Sequence, residues 1–400
     1  MQYQLRDYRH FSSHVKRMLL TEILFGFASG LLSVHMNFYY TTTGLTTVDI
    51  GSIGIASAIT TAVIAIAGGM LSSRLGYSPV CLLGTLMQGT GLLVCAATGN
   101  FVLILLGQVI YAAGLTFVHA VEFPYITYLT EEPYKAAAYF YLVFTYSASA
   151  IFGNLLGEQV LRLSGGLPNP YRLSLFISAA GFLLLTLLRV TMPNAHPPRK
   201  ADSRGVFRQA LALRPVRRYL LHHALYSFGN SLVASMLNLI YRTAFGFSDA
   251  LIGQIFSIAS LITALALVLL PLLLRRIAAF RISDALYIAL MACMVVSILA
   301  PAPFFVVAML LRSALLQLFP VVIESQMLNS LPPVHHGAYA SLRILAVNIG
   351  SGAGSFITGL LLAYTNYHWL LAMGTLCAAG LFFLYSRYCK KYFTAARAEA

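Results

Sequence analysis

The sequence predicts an all-α integral membrane protein with twelve transmembrane helices in two six-helix repeats. Three observations lead to this fold class. Of the 400 residues, 59% are hydrophobic and 10% are charged, with a mean hydropathy of +0.78. The apolar residues fall into runs of about 20, the length of a membrane-spanning helix. The second half of the chain also repeats short segments of the first half.

Six apolar runs follow a basic N-terminal segment over residues 1–17. We predict spans at residues 18–41, 50–72, 78–98, 101–128, 137–161 and 171–192. The first run is long enough to cross a membrane, so we expect no cleavable signal peptide. Residues 1–192 are the predicted first six-helix bundle.

A polar, proline-rich and basic segment at 193–217 is the predicted cytoplasmic linker. Six further spans are predicted at residues 218–241, 250–274, 282–300, 304–329, 337–364 and 368–388. Residues 218–400 are thus the predicted second bundle. Because the number of spans is even, both termini should lie on the same side.

The basic residues predict which side that is. Seven of them lie between Arg199 and Arg218, whereas the predicted segments on the other side hold only Arg162, Arg172 and Arg242. Cytoplasmic loops carry the excess of Lys and Arg, so we expect cytoplasmic termini and a location in the cell (inner) membrane. This distribution explains most of the net charge of +14 without a nucleic-acid partner.

The sequence offers no motif for an enzyme or a primary pump. The five cysteines are isolated, without metal-ligand spacing, and no nucleotide-binding loop is present. We therefore expect no cofactor, no metal and no catalytic residue. The energy source should be an ion gradient.

Three pairs of segments repeat in order at displacements of about 200 residues. GLTTVDIGSI at 44–53 matches GFSDALIGQI at 246–255, and the stretch 36–40 matches 237–241. The third pair is 133–139 with 333–339. Parallel repeats with a substrate site near the membrane midplane are typical of secondary transporters.

The loop after span 2 resembles a family signature. Its sequence from Gly69 to Gly76, GMLSSRLG, is similar to the Gly-x-Leu-x-Asp-Arg-x-Gly motif of the major facilitator superfamily, with Arg74 in the basic position. It departs from the motif at Ser73, which replaces the acidic residue. Gly153-Asn-Leu-Leu-Gly157 is similar to the glycine motif of that family's exporters, whereas Gln108 replaces the arginine of many proton-driven antiporters.

The resemblance implies that spans 1, 4, 7 and 10 line a central cavity. These spans are also the richest in polar residues near their middles. The candidate substrate-binding residues on them are Asn37, Tyr40, Gln108, Tyr111, Tyr226, Asn230, Arg312 and Gln317. Arg312 lies deepest, and a lone guanidinium there needs an anionic partner, which makes it the candidate for an anionic substrate group.

Span 4 carries His119 and Glu122 inside an apolar run, on one helical face with Gln108 and Tyr111. Titratable side chains in a membrane usually line a cavity or relay protons. We predict proton coupling at Glu122 and His119, with Glu22 and Glu324 as further candidates. A purely structural hydrogen-bond cluster remains the alternative.

Other charged residues have structural alternatives. Glu22, His222 and His223 lie near the cytoplasmic ends of their spans, where long polar side chains can reach the headgroups. We expect Glu324 to pair with Arg343 as a structural or gating contact. Glu158 and Arg162 have the i,i+4 spacing of a structural ion pair.

These patterns predict a monomeric secondary transporter, with protons, a small-molecule substrate and membrane lipids as its partners. The favoured function is proton-coupled efflux of a small organic molecule by alternating access. The alternatives are proton-coupled uptake of a metabolite, sugar or peptide, and lipid flipping. From a different class, a non-transporting receptor or a membrane enzyme remains open, although no large loop or catalytic cluster supports either.

Overall fold

The computed structural model describes residues 5–131, 134–196, 204–277, 279–324, 326–327, 330–332 and 335–390. All regular elements in these ranges are helices, which confirms the all-α class. Within the described ranges, eleven helices are long and apolar enough to cross a membrane. The one remaining predicted span, span 7, is present as a broken helix.

The first six spans follow the predicted boundaries to within a few residues. Spans 1 to 6 are Ser13–Thr42, Thr47–Leu75, Tyr77–Ala97, Phe101–Leu129, Lys135–Leu163 and Tyr171–Arg189. Span 1 begins earlier than predicted because the Ser12 hydroxyl accepts a hydrogen bond from the Val15 amide and caps the helix. Asn100 caps span 4 in the same way.

Span 7 consists of two helices, Arg214–Ala234 and Leu237–Phe245, with a break at residues 235–236. A short helix, Arg204–Ala212, precedes it in the predicted linker, of which residues 197–203 lie outside the described ranges. Span 7 is not among the eleven long apolar helices. Three arginines and two histidines occupy its first ten residues and make this part polar. The first helix of span 7 therefore begins with polar residues, and the second helix is short and mostly apolar.

Spans 8 to 12 are Asp249–Arg276, Ala279–Leu299, Ala302–Phe319, His336–Tyr364 and Tyr367–Leu384. Two of them end in a wider π-helical turn, Pro320–Glu324 after span 10 and Tyr385–Cys389 after span 12. A proline at the start of the first turn has no N–H to bond the preceding turn, which favours the wider geometry.

The chain divides into two compact units. The first comprises Met1–Leu45, Val63–Arg199 and Phe247–Ser257, and the second comprises Thr46–Ala62, Lys200–Gly246 and Ile258–Ala400. The beginning of span 2 thus belongs to the second unit, and the beginning of span 8 belongs to the first unit. These are the two segments that the sequence repeats.

A glycine in each of these two segments explains the grouping. A Cβ atom at Gly253 would lie 2.6 Å from the Asn154 carbonyl oxygen, within the first unit. Within the second unit, a Cβ atom at Gly51 would lie 3.0 Å from the Ser355 carbonyl oxygen. The repeated glycine therefore allows the same close backbone contact in both units.

In the first half, span 1 packs against spans 5 and 6, and span 3 packs against spans 4 and 6. In the second half, span 7 packs against spans 11 and 12, and span 9 against spans 10 and 12. These pairings are the same after a shift of six spans. They confirm the predicted duplication of a six-helix unit.

The duplication extends to single residues at the span 1–span 5 and span 7–span 11 contacts. A Cβ atom at Gly153 would lie 2.2 Å from the Phe27 carbonyl oxygen, and one at Gly354 would lie 2.5 Å from that of Phe228. Both residues of this contact recur 201 positions later. The run Gly153–Gly157, which is similar to an exporter motif, therefore has a packing role.

Candidate functional site

A buried ion pair joins span 1 to the C-terminal end of span 6. The Arg189 guanidinium binds the Glu22 carboxylate through Nη2, and the two residues are only 2% and 1% exposed. Arg189 also donates from Nε to the Thr21 hydroxyl at 2.9 Å and from Nη1 to the Cys81 sulfur at 3.1 Å. Each nitrogen of this guanidinium thus has a partner.

Glu122 of span 4 completes this cluster. Its side chain is buried and interacts electrostatically with both Glu22 and Arg189. Its Oε1 atom has no hydrogen-bond partner in the described part of the chain. Glu22, Glu122 and Arg189 therefore place two carboxyl groups and one guanidinium together in the interior of the first half.

The structural alternative in which Glu22 reaches toward the headgroups does not hold, because the side chain turns inward to Arg189. His222 and His223 also turn inward: their Nε2 atoms lie 2.5 Å and 2.8 Å from the hydroxyls of Tyr287 and Tyr339. Interior partners therefore replace snorkelling at all three positions.

Sequence reasoning missed Arg189, the counterion of Glu22. A signal was available in the predicted topology, because spans 1 and 6 both have their cytoplasmic ends near these residues. Two opposite charges at the same depth in apolar runs are expected to pair, since either one alone would be costly inside a membrane.

His119 does not join the cluster. It lies one turn before Glu122, but its side chain is exposed and its ring centre is 6.4 Å from that of Phe25. The charged groups that act on Glu122 are thus on spans 1 and 6. A shared role of His119 and Glu122 stays a prediction.

Three candidate substrate residues come together near the other end of spans 1 and 4. Tyr40 is buried, and its hydroxyl interacts with the side chains of Tyr111 and Gln108. Gln108 is also buried, with its amide nitrogen 3.8 Å from the sulfurs of Met36 and Cys95. Asn37 lies one turn before Tyr40 and is half-buried.

A second group surrounds Arg312 in the second half. The Arg312 side chain is 3% exposed, and its Nη2 atom donates to the carbonyl and side-chain oxygens of Asn230 at 3.1 and 3.2 Å. Together with Tyr226, these residues border a small cavity. Gln317, by contrast, is exposed and lies apart from the cavity lining.

The predicted ion pairs are present. Arg343 Nε lies 2.8 Å from Glu324 Oε1, with both side chains about a quarter exposed (28% and 25%). Arg162 Nη2 lies 2.7 Å from Glu158 Oε1 at the end of span 5, where the arginine side chain is 75% exposed. The first pair connects the turn at the C-terminal end of span 10 to span 11.

The motif after span 2 forms a tight turn. Gly76 has a φ of +91°, and its backbone lies so close to Asn194 that a Cβ atom would be 2.1 Å from Oδ1. Asn194 in turn donates to the Leu75 carbonyl at 2.8 Å. Gly69 lies in the last part of span 2, and Arg74 is exposed.

No group of three or more potential metal ligands occurs in the part of the chain that the structure describes. The candidate sites therefore consist of buried carboxyl, guanidinium, amide and phenol groups placed within membrane-spanning helices. Such groups can bind protons and polar small molecules.

Comparison with known proteins agrees with the fold. The model of the major facilitator superfamily matches residues 18–323, about three quarters of the chain. The chain belongs to the major facilitator superfamily. This confirms the resemblance found in the sequence, and a search of curated proteins gives no match.

Solved structures of superfamily transporters share the fold. A variant of the nucleoside transporter NupG is 14% identical with a TM-score of 0.79, covering 96% of this chain and 100% of its own. A bacterial homologue of the human lysosomal transporter Spinster is 16% identical with a TM-score of 0.71, covering 96% of both chains. A variant of the E. coli fucose:proton symporter FucP is 19% identical with a TM-score of 0.65, covering 92% of this chain and 97% of its own. At these identities the likeness concerns the fold.

Proposed function

We propose that this superfamily member is a secondary transporter that couples proton movement to export of a small organic molecule, with Glu122 carrying the proton. The observation that supports this proposal is the buried cluster of Glu22, Glu122 and Arg189.

Two ionised carboxylates and one guanidinium would give the cluster a net charge of −1. An uncompensated charge in the interior of a membrane protein is costly, and two carboxyl groups close together do not both ionise readily. The cluster is neutral when it holds one proton. Arg189 binds Glu22 directly, whereas Glu122 has an oxygen without a partner, so the proton belongs on Glu122.

The neighbouring groups do not compete for this role. Cys81 binds Arg189 and interacts electrostatically with both carboxyl groups, as does Tyr146 of span 5. A thiol and a phenol are neutral near pH 7 in their ordinary state. The exchangeable proton of the cluster is therefore the carboxyl proton.

The proton site and the candidate substrate residues share two helices. Tyr111 and Glu122 are separated by eleven residues of span 4, about 16 Å at 1.5 Å per residue. Substrate therefore does not displace the proton directly. We infer that movement of spans 1 and 4 during alternating access changes the contact between Glu122 and the Glu22–Arg189 pair.

Uptake by proton symport is the second candidate, because the fold is shared with a fucose:proton symporter and with a nucleoside transporter. The glycine run in span 5 has a packing role, and Gly354 makes the contact equivalent to that of Gly153 in the second half, so the run supports export less than its sequence alone does. The residues of the coupling cluster are compatible with either direction. The sign of proton movement distinguishes the two.

The test uses purified protein in liposomes that contain a pH-sensitive dye, with nucleosides, sugars, peptides and organic cations supplied in turn. Proton movement opposite to the substrate indicates antiport and supports export, whereas movement in the same direction supports uptake. We expect Glu122→Gln to retain exchange of substrate but to lose accumulation driven by a pH gradient. Accumulation at the wild-type rate in Glu122→Gln would contradict the proposed role.

Glu158→Gln is the matched control, since it makes the same substitution in an exposed ion pair. It should accumulate substrate normally. A receptor or a membrane enzyme would give no substrate-dependent proton movement with any compound.

A further inference from the structure

Arg312 is a buried cation whose described hydrogen-bond partners are all neutral. Its Nη2 atom donates to the carbonyl oxygens of Gly229 and Asn230, at 3.5 and 3.1 Å, and to Asn230 Oδ1 at 3.2 Å. Its Nε atom is buried and has no hydrogen-bond partner among the described residues. The guanidinium is therefore only partly satisfied.

The acidic side chains described in the second unit are engaged elsewhere. Glu324 pairs with Arg343, Asp284 binds Lys390 at 2.7 Å, and Asp49 accepts from Thr46 at 2.7 Å. The carbonyl groups near the C-terminal end of the first helix of span 7 favour a cation, but they supply only partial charges. Within the described residues, the positive charge of Arg312 is thus without a full counter-charge.

A cavity of about 10 Å³ lies against Arg312. Tyr226 and Asn230 border it together with apolar residues of spans 9, 10 and 12, among them Met294 and Leu316. Because Asn230 Oδ1 accepts from Arg312, the amide nitrogen of Asn230 is a second donor beside this cavity. The Tyr226 hydroxyl donates to the Leu316 carbonyl at 2.6 Å.

We propose that this cavity binds one small inorganic anion, such as chloride, between Arg312 and Asn230. Two kinds of N–H donor and an uncompensated guanidinium match the chemistry of an anion, and the volume is that of about one water-sized particle. The site lies in the second unit and does not depend on the proposed transport function.

The first test measures binding to the purified wild-type protein. Thermal unfolding is followed while sodium chloride replaces sodium gluconate at constant ionic strength. We expect a saturable rise in melting temperature of about 2 °C or more, because a ligand that binds only the folded state stabilises it. Bromide should act like chloride, and chloride-35 resonance line broadening should report the same binding.

Variants identify the site. Arg312→Gln should lose both the stabilisation and the line broadening, whereas Arg343→Gln, the same substitution at an arginine with a carboxylate partner, should retain both. Asn230→Asp provides the counter-charge within the protein. This variant should fold at least as stably as wild type in gluconate and should no longer respond to chloride.

Three results would overturn the proposal. The first is a melting temperature and a chloride-35 signal in wild type that do not respond to chloride. The second is a full response in Asn230→Asp, which tests the site even if Arg312→Gln fails to fold. The third is equal stabilisation by gluconate and chloride together with stabilisation by organic acids, which would assign Arg312 to an anionic substrate group.

Discussion

Two buried arginines, one in each half, differ in how their charge is compensated. Arg189 binds a carboxylate directly, and a second carboxyl group stands close by. Arg312 has amide and carbonyl oxygens instead. We propose a proton site around the first arginine and an anion site beside the second, because the acidic residues around the two arginines differ.

If the cluster of Glu22, Glu122 and Arg189 holds one proton, as we propose, substitutions at Glu22 and Glu122 should have non-additive effects on stability. Either Glu22→Gln or Glu122→Gln leaves one carboxylate for Arg189, so each single variant should unfold at nearly the wild-type temperature. The double variant leaves the guanidinium without a carboxylate. It should lose about 3–5 kcal/mol, the cost of removing one partner of a buried ion pair.

Thermal unfolding of the four proteins in one detergent measures this coupling. Glu158→Gln, alone and with Glu122→Gln, is the control pair and should be additive. Additive losses in the Glu22 and Glu122 cycle would show that the two carboxyl groups do not share Arg189.

Several features at the level of single helices depend on close backbone contacts. Span 7 breaks at residues 235–236, between one and two turns after Gly229 and Asn230, whose carbonyl groups bind Arg312. Side-chain donors that bind carbonyl groups are a known cause of helix kinks. The hydropathy of the sequence predicted one continuous span over this region. Hydropathy carries no information about Arg312, the hydrogen-bond donor on span 10.

The repeated glycine contacts predict equal sensitivity in the two halves. Gly153→Ala and Gly354→Ala each place a methyl group against a carbonyl oxygen of the partner helix. We expect each to lower the free energy of unfolding by about 1–3 kcal/mol, the usual cost of overpacking.

Gly181→Ala is the control, because its Cβ atom would lie 3.6 Å from that of Ala28, an ordinary contact. Denaturation in one detergent compares the three variants. A large loss in only one half would contradict the inference that the packing of the two repeats is equivalent.

The turn after span 2 predicts a local effect of a single methyl group. Gly76→Ala places a side chain at φ +91° and within 2.1 Å of Asn194. The left-handed conformation and the clash should together cost about 1–3 kcal/mol. Gly99→Ala, in a loop with no atom within 4 Å of the new methyl group, should have little effect in the same unfolding assay. Similar stability of the two variants would be evidence against this role of Gly76.

At the scale of the whole molecule, the duplication and the distribution of basic residues define the organisation. Corresponding helix pairs pack in both halves, while the beginnings of spans 2 and 8 are exchanged between the two compact units. The matching segments at 44–53 and 246–255 predicted the repeat, and the structure gives a physical reason for their similarity. Each carries a glycine that allows close backbone contact.

The charge distribution predicts that both termini and residues 193–217 are cytoplasmic. A cysteine introduced at Ser203 or next to Ala400 should resist an impermeant thiol reagent added to intact cells and should react after the membrane is opened. A cysteine at Gly165, in the loop between spans 5 and 6, should react from outside. Labelling of Ser203→Cys in intact cells would reverse the orientation.

Sequence patterns alone predict the class, the number of spans and the repeat, because a membrane requires long apolar helices and duplication leaves matching segments. They also identify the pairs Glu158–Arg162 and Glu324–Arg343. The first follows from i,i+4 spacing within one helix, and the second from two opposite charges at the inner ends of consecutive spans.

The tertiary structure alone decided the partners across helices that are distant in the chain. Glu22 and Arg189 are 167 positions apart, and the depth and direction of both side chains depend on how spans 1 and 6 pack. The same holds for Arg312, for which the sequence required an anionic partner and the structure provided the oxygens of Asn230. Helical periodicity defines the face on which a side chain lies, but only packing defines what that face meets.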